Sequence, residues 1–171
     1  MTFTEYLKSI NACSDAIEWA ANKTVEEVVA TCHRGDWLLW LASKCDIGLQ
    51  PLTLAKGHCA NTVRHLLKDD RSIKAVDTAI AFGEGRATRE ELDAAYAAAY
   101  AAARAAAYAA AAASARAAAY AAAAADAYYD ADAAAAIENR LQTADICRKY
   151  IGDLIIEKVN QHLNQTNDKT I

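Results

Sequence analysis

The sequence predicts an all-α protein, a compact multi-helix array or bundle in which alanine-rich helices pack tightly. Three observations carry this. Capping boxes recur at Thr2/Glu5, Thr24/Glu27 and Thr88/Glu91; in each, the hydroxyl accepts from a free backbone N–H while the carboxylate reaches back. From Thr88 to Tyr150 there is neither glycine nor proline, and alanine dominates from Ala94 to Ala136, which favours helix throughout. No stretch has the alternation of a strand.

The elements follow in order. The first helix is expected from about residue 3 to 21, with Phe3, Tyr6, Leu7, Ile10, Cys13 and Ile17 mostly at helical spacing. A second covers Val25 to Cys32. Gly35 breaks the pattern, and Asp36 is placed to cap a third helix through Trp37, Leu38, Leu39, Trp40 and Leu41. Gly48 and Pro51 precede a fourth, which carries Leu54, Cys59, Val63, Leu66 and Leu67; proline suits a first helical turn. Lys68, Asp69 and Asp70 read as a short linker. Ile73, Val76, Ile80 and Phe82 mark a fifth helix, ended by Gly83 and Gly85.

Within the alanine tract, Tyr96, Tyr100, Arg104, Tyr108, Arg116, Tyr120, Tyr128 and Asp132 recur at steps of four or eight. Four residues advance about 400° on a helix, so neighbouring members share a face while the whole set winds around it. Two readings fit residues 94–136: one long helix, or two helices broken near Asp126–Asp130. The second suits a compact domain better. The last helix is expected from about Ile137 to Leu163, with Gly152 a point where it can be interrupted. Residues 1–163 thus form one helical domain, and 164–171 a polar, frayed tail.

A chain of 171 residues is long enough for one domain with its own core. The hydrophobic fraction of 54% overstates that core, because alanine adds little apolar area. Net charge is -4, from 18 basic and 22 acidic residues, with no basic stripe, which argues against direct nucleic-acid binding. Glu5 and the lack of a basic leader argue against a signal peptide. Arg104, Ser114, Arg116 and Asp126 interrupt the alanine tract and argue against a membrane span. The five cysteines, Cys13, Cys32, Cys45, Cys59 and Cys147, are odd in number and widely spaced. They read as reduced thiols of a soluble, cytoplasmic protein.

Candidate chemistry is sparse. Cys32, His33, Cys45, His58, Cys59 and His65 contain no CxxC or HxxxH pair, so neither a metal nor a cofactor is expected. Cys32 and His33 are adjacent and point about 100° apart on a helix, so they form no ready nucleophile–base pair. Pairing Cys59 with His33 would need the tertiary fold. Phe82-Gly83-Glu84-Gly85 lacks the phosphate-loop pattern and reads as a helix terminator. No catalytic residue is expected. Trp37 and Trp40 read first as core and second as a partner-binding patch. Candidate partner-binding residues are Tyr96, Tyr100, Arg104, Tyr108, Arg116 and Tyr120, together with Asp69 and Asp70. Arg104 and Arg116 either keep the tract hydrated or pair with Asp93, Asp126 or a partner carboxylate.

Several segments carry a family resemblance. They are Asp70-Arg71-Ser72-Ile73-Lys74-Ala75-Val76, Ala81-Phe82-Gly83-Glu84-Gly85, and Glu90-Glu91-Leu92 ahead of the alanine run. Trp37-Leu38-Leu39-Trp40 and the following Leu54–Leu67 segment add to them. Across about residues 35 to 150, the chain resembles the alanine-rich helical immunity-protein family of bacteria and phages. Ser72 stands where many relatives have proline, and the first 30 residues are less typical. The resemblance implies an all-helical domain that binds a toxin or another protein target. It brings no catalytic residue. The expected function is therefore a non-enzymatic inhibitor that occludes a toxin or a defence complex. A phage anti-defence form, such as an anti-CRISPR protein acting in the host cytoplasm, is included. The alternative is a structural or self-associating helical protein, such as a homodimer.

Overall fold

In a computed structural model, the backbone is described for residues 1–117 and 128–168, and side chains for residues 1–105 and 137–166. Among the described residues the chain forms eight α-helices: α1 (Phe3–Ser9), α2 (Ser14–Trp19), α3 (Val25–Thr31), α4 (Gly35–Lys44), α5 (Leu49–Asn61), α6 (Asp70–Gly83), α7 (Arg89–Ala117) and α8 (Tyr128–Asp168). A 3₁₀ turn, Arg64–Leu66, follows α5. The all-α class stands.

The three capping boxes form as the sequence indicates. Thr2 and Glu5 close one at α1, and Thr24 and Glu27 another at α3. Thr88 accepts from the Glu91 N–H at 3.2 Å, while its own N–H donates to the Glu91 carboxylate at 2.7 Å, opening α7. Left-handed residues set the ends of α1 and α6. Asn11 has φ 59°; its N–H donates to the Lys8 carbonyl and that of Ala12 to the Leu7 carbonyl. This is a Schellman stop with asparagine in the left-handed place, a conformation asparagine tolerates better than most residues. It splits the single helix expected over residues 3–21 into α1 and α2. Gly85, with φ 75°, ends α6 in the same way: its N–H reaches the Phe82 carbonyl and that of Arg86 the Ala81 carbonyl.

Three further expectations change. Asp36 does not cap α4. The helix begins at Gly35, and the Asp36 carboxylate turns back to Arg34 in a two-pronged pair at 2.6 and 2.8 Å. The fourth helix stops at Asn61, short of Leu66 and Leu67, which lie in and just after the 3₁₀ turn. The last helix starts earlier than Ile137 and continues unbroken past Gly152 to Asp168. Gly152 is buried inside it, where a Cβ would press on Val29 at 3.1 Å. Of the two readings of the alanine tract, the described residues give α7 up to Ala117 and α8 from Tyr128; residues 118–127 lie outside them.

The core is built around α8. Ala144, Cys147, Ile151, Ile155 and Val159 are fully buried along one stripe, at the three- and four-residue spacing of a helix face. Packed on that stripe are Phe3, Tyr6 and Leu7 of α1, Val25, Val28 and Val29 of α3, and Leu38, Leu41 and Ala42 of α4. α3 runs antiparallel to α8, as shown by Glu26 against Asn160, Val29 against Gly152 and Cys32 against Arg148. The Arg148 guanidinium donates to the Cys32 carbonyl at 2.7 Å and the Val29 carbonyl at 3.4 Å. It thereby satisfies backbone acceptors that the end of α3 leaves open.

A second, thinner layer is added outward: α5 on α8, α6 on α5 and α7 on α6. It is held by close backbone approach more than by large side chains. A Cβ on Gly83 would lie 2.7 Å from Leu54 Cα, and one on Gly57 2.9 Å from Ile80 Cγ1. Between α6 and α7 a small cluster of Ala79, Phe82 and Leu92 forms, with Ala87 against it. Beyond Leu92, α7 turns Ala95 and Ala102 inward, so the start of the alanine tract packs along one narrow face.

Candidate functional site

The outer flank of α7 carries the chemistry that alanine lacks. Arg89, Asp93, Tyr96, Tyr100 and Arg104 follow one another at steps of four, three, four and four, which keeps them on one side of a helix. Arg89 Nε sits 2.9 Å from the Asp93 carboxylate. Asp93 thus pairs with Arg89, one turn before it. Tyr96 is 44% and Tyr100 67% exposed. The Arg104 guanidinium carbon lies 5.9 Å from the Tyr100 ring centre, a cation–π distance. Partial burial pushes the Tyr96 phenol above its ordinary pKa. Three of the expected contact residues, Tyr96, Tyr100 and Arg104, are therefore brought together. The side chains of Tyr108 and Arg116 and the whole of Tyr120 lie outside the described residues.

Asp69 and Asp70 belong elsewhere. Asp69 is the N-cap of α6: its carboxylate accepts from the Arg71 N–H at 2.9 Å and pairs with the Arg71 guanidinium at 2.8 Å. Those bonds hold the Asp69 carboxyl down at about 2. Asp70 lies in the first turn, where negative charge complements the helix dipole. Both acids have a local structural task.

A second feature is an apolar cleft of about 400 Å³ among α1, α2, α3 and α4, walled by Phe3, Leu7, Trp19, Val28, Trp37 and Trp40. Trp19 and Trp37 tilt together with ring centres 6.0 Å apart, and His33 meets the Trp19 ring edge-on at 5.9 Å. The Lys23 ammonium lies 4.4 Å from the Trp19 centre, and the Arg34 guanidinium 4.7 Å from that of Trp37. Hydrogen bonding to Arg34 holds Asp36, at the edge of this cleft, below the usual carboxylate range. The tryptophans are half-buried: part of each ring packs on the core and part lines the cleft. Sequence periodicity marks Trp37 and Trp40 but cannot bring Trp19 to them, because the two loops on either side of α3, the first turning at Asn22 with φ 62°, set that meeting.

Cys59 and His33, the pair that only the tertiary fold could join, have different neighbours. His33 contacts Trp19 and Trp37, whereas the Cys59 sulfur lies 3.9 Å from that of Cys147. His58 stacks flat on Tyr150 at 4.5 Å. Among the described residues no group of three or more His, Cys, Asp or Glu is arranged to hold a metal ion, and no helix is long and apolar enough to cross a membrane. No family model, curated protein or solved structure matches the chain. Its geometry is accordingly the ground for a functional reading.

Proposed function

We propose that this chain is a non-enzymatic binding protein that occludes a surface on another protein, with the α7 stripe as its contact. The observation that carries the reading is the exposed Tyr96–Tyr100–Arg104 stripe on one helix. Tyrosine and arginine are enriched among the few residues that carry most interface energy: the tyrosine ring gains contact area while ordering two torsions, and the guanidinium presents its donors in a fixed planar fork. The resemblance to immunity-type proteins is in keeping with a toxin or a bacterial defence component as the target. An anti-CRISPR inhibitor carried by a phage is one form of the same activity.

The test is to isolate the target from the native host and titrate it calorimetrically against wild type and Tyr100→Ala. The expected result is a loss of affinity of about 30-fold or more, the size of a hot-spot truncation, with an unchanged melting temperature because Tyr100 is exposed. Equal affinity for both proteins would remove the stripe as the contact surface.

Self-association is a second reading, favoured by the exposed Ala97, Ala101 and Ala103 of α7. α7 has 29 residues against 14 in α6, so it is about 20 Å longer than the neighbour it packs on. Sedimentation over a wide concentration range separates the readings: a strict monomer excludes self-association.

A further inference from the structure

Five cysteines are distributed over the chain, and two of them meet. Cys59 of α5 and Cys147 of α8 are 88 positions apart in sequence, with their sulfurs 3.9 Å apart. Both are free thiols, Cys59 half-buried and Cys147 fully buried. The Cys147 sulfur also lies 3.6 Å from the Gly35 carbonyl, and that of Cys59 3.8 Å from the Thr143 carbonyl. The two helices are clamped on either side of the pair. One residue before Cys59, His58 stacks on Tyr150 with planes 6° apart. Three residues after it, Thr62 accepts from the Asn139 amide at 2.7 Å. A disulfide needs the sulfurs at about 2.0 Å, so the approach required is about 1.9 Å, or about 1 Å of movement by each sulfur. The remaining thiols have other surroundings: Cys13 is exposed, Cys45 meets the Tyr6 hydroxyl at 3.4 Å, and Cys32 faces the Arg34 carbonyl.

We infer that Cys59 and Cys147 form an oxidation site, at which a hydroperoxide converts the two thiols into a disulfide that ties α5 to α8. The order of events follows from access. Cys59 is the thiol open to a small oxidant, and the hydrogen bond from Cys147 favours its thiolate. The hydrogen bond with Cys59, and then burial, push the Cys147 thiol up and keep it protonated. With hydrogen peroxide, the Cys59 sulfur attacks one peroxide oxygen. An S–O bond forms, the O–O bond breaks, and the departing hydroxide takes up the Cys59 proton as water. Cys59 is then a sulfenic acid. The Cys147 sulfur attacks the Cys59 sulfur; the S–S bond forms, the S–O bond breaks, and hydroxide leaves with the Cys147 proton as a second water. Two electrons pass from the sulfurs to the peroxide, and two thiols plus one peroxide give one disulfide and two waters. The covalent loop so closed contains α6 and α7, so oxidation fastens the thinner layer to the core.

The test uses the full chain, reduced and then exposed to hydrogen peroxide, with intact mass, peptide mapping and melting temperature read without reductant. The expected product is about 2 Da lighter, the loss of two hydrogens, with a cross-linked peptide joining residues 59 and 147. It melts higher than the reduced protein and reverts with dithiothreitol. Cys13→Ser keeps this behaviour and Cys59→Ser abolishes it. A product about 32 Da heavier, with Cys59 as sulfinic acid and no cross-link, overturns the inference. So does a disulfide that joins any other pair, or a cross-link that survives in Cys59→Ser. The wild-type peptide map decides the matter even if a variant fails to fold.

Discussion

Gly35→Ala is expected to destabilise the protein by about 3 kcal/mol or more, at or beyond the upper end of ordinary overpacking. Alanine in place of glycine within a helix usually stabilises, by about 1 kcal/mol, so the prediction is one of sign as well as size. Gly35 is the first residue of α4 and is buried against α8. A Cβ there would collide with the Thr143 side chain and lie 2.6 Å from the Thr143 carbonyl carbon. The side chain can rotate away, but the backbone of a long helix cannot. The strain is relieved by lifting α4, which pulls Leu38 and Leu41 out of the main core. Urea unfolding followed by circular dichroism measures the effect. An unchanged or raised midpoint would show that α4 and α8 do not approach this closely. Total stabilities of domains are about 5–15 kcal/mol, so a loss of this size takes about a fifth to more than half of the total.

The second large effect is expected at Ile155. It is fully buried in the middle of the α8 stripe, whereas Ile137 on the same helix is 56% exposed. Ile155→Ala removes transferred apolar area and leaves a void that the packed neighbours fill incompletely, at a cost of about 2–5 kcal/mol. Ile137→Ala is expected to stay within about 0.5 kcal/mol of wild type. The two variants change the same atoms in the same helix, so their difference isolates burial from helix propensity. Equal midpoints in denaturant would contradict the assignment of the inward face of α8.

Much of this architecture is legible in the residues themselves. A capping box is a local object: Thr24 and Glu27 need only each other and one helical turn, and they pair as the spacing indicates. The stop at Gly85 is local in the same sense. Asn11 is less legible, because asparagine takes the left-handed conformation in some places and ordinary helix in others. Gly152 misleads in the opposite direction: a residue that reads as a breaker is retained within a helix because Val29 occupies the space of its side chain. The alanine tract indicates helix but not which way the helix faces, since one alanine resembles the next. That information comes from Leu92 and the tyrosines at its margins. Site geometry is the least legible part. The cleft draws on four helices, and Cys59 and Cys147 are joined only by the packing of α5 on α8. The Tyr96–Tyr100–Arg104 group could be seen beforehand because a single helix holds all three.

The unequal distribution of bulk between the two layers has a kinetic consequence. Amide protons along Ala144–Val159 lie under the whole apolar load of the main core, so their release to solvent awaits global opening. Those of α6 and the first turns of α7 are secured by a smaller set of mostly small buried side chains, Ala75, Val76, Ala79, Phe82, Leu92 and Ala95, and by backbone contacts that cede little apolar area on separation. Opening of that layer therefore costs less than unfolding of the whole. Among the described residues, the stretch that displays Tyr96 and Tyr100 is then expected to open ahead of the α8 core, which hydrogen exchange would register as faster exchange of the α6 and early α7 amides.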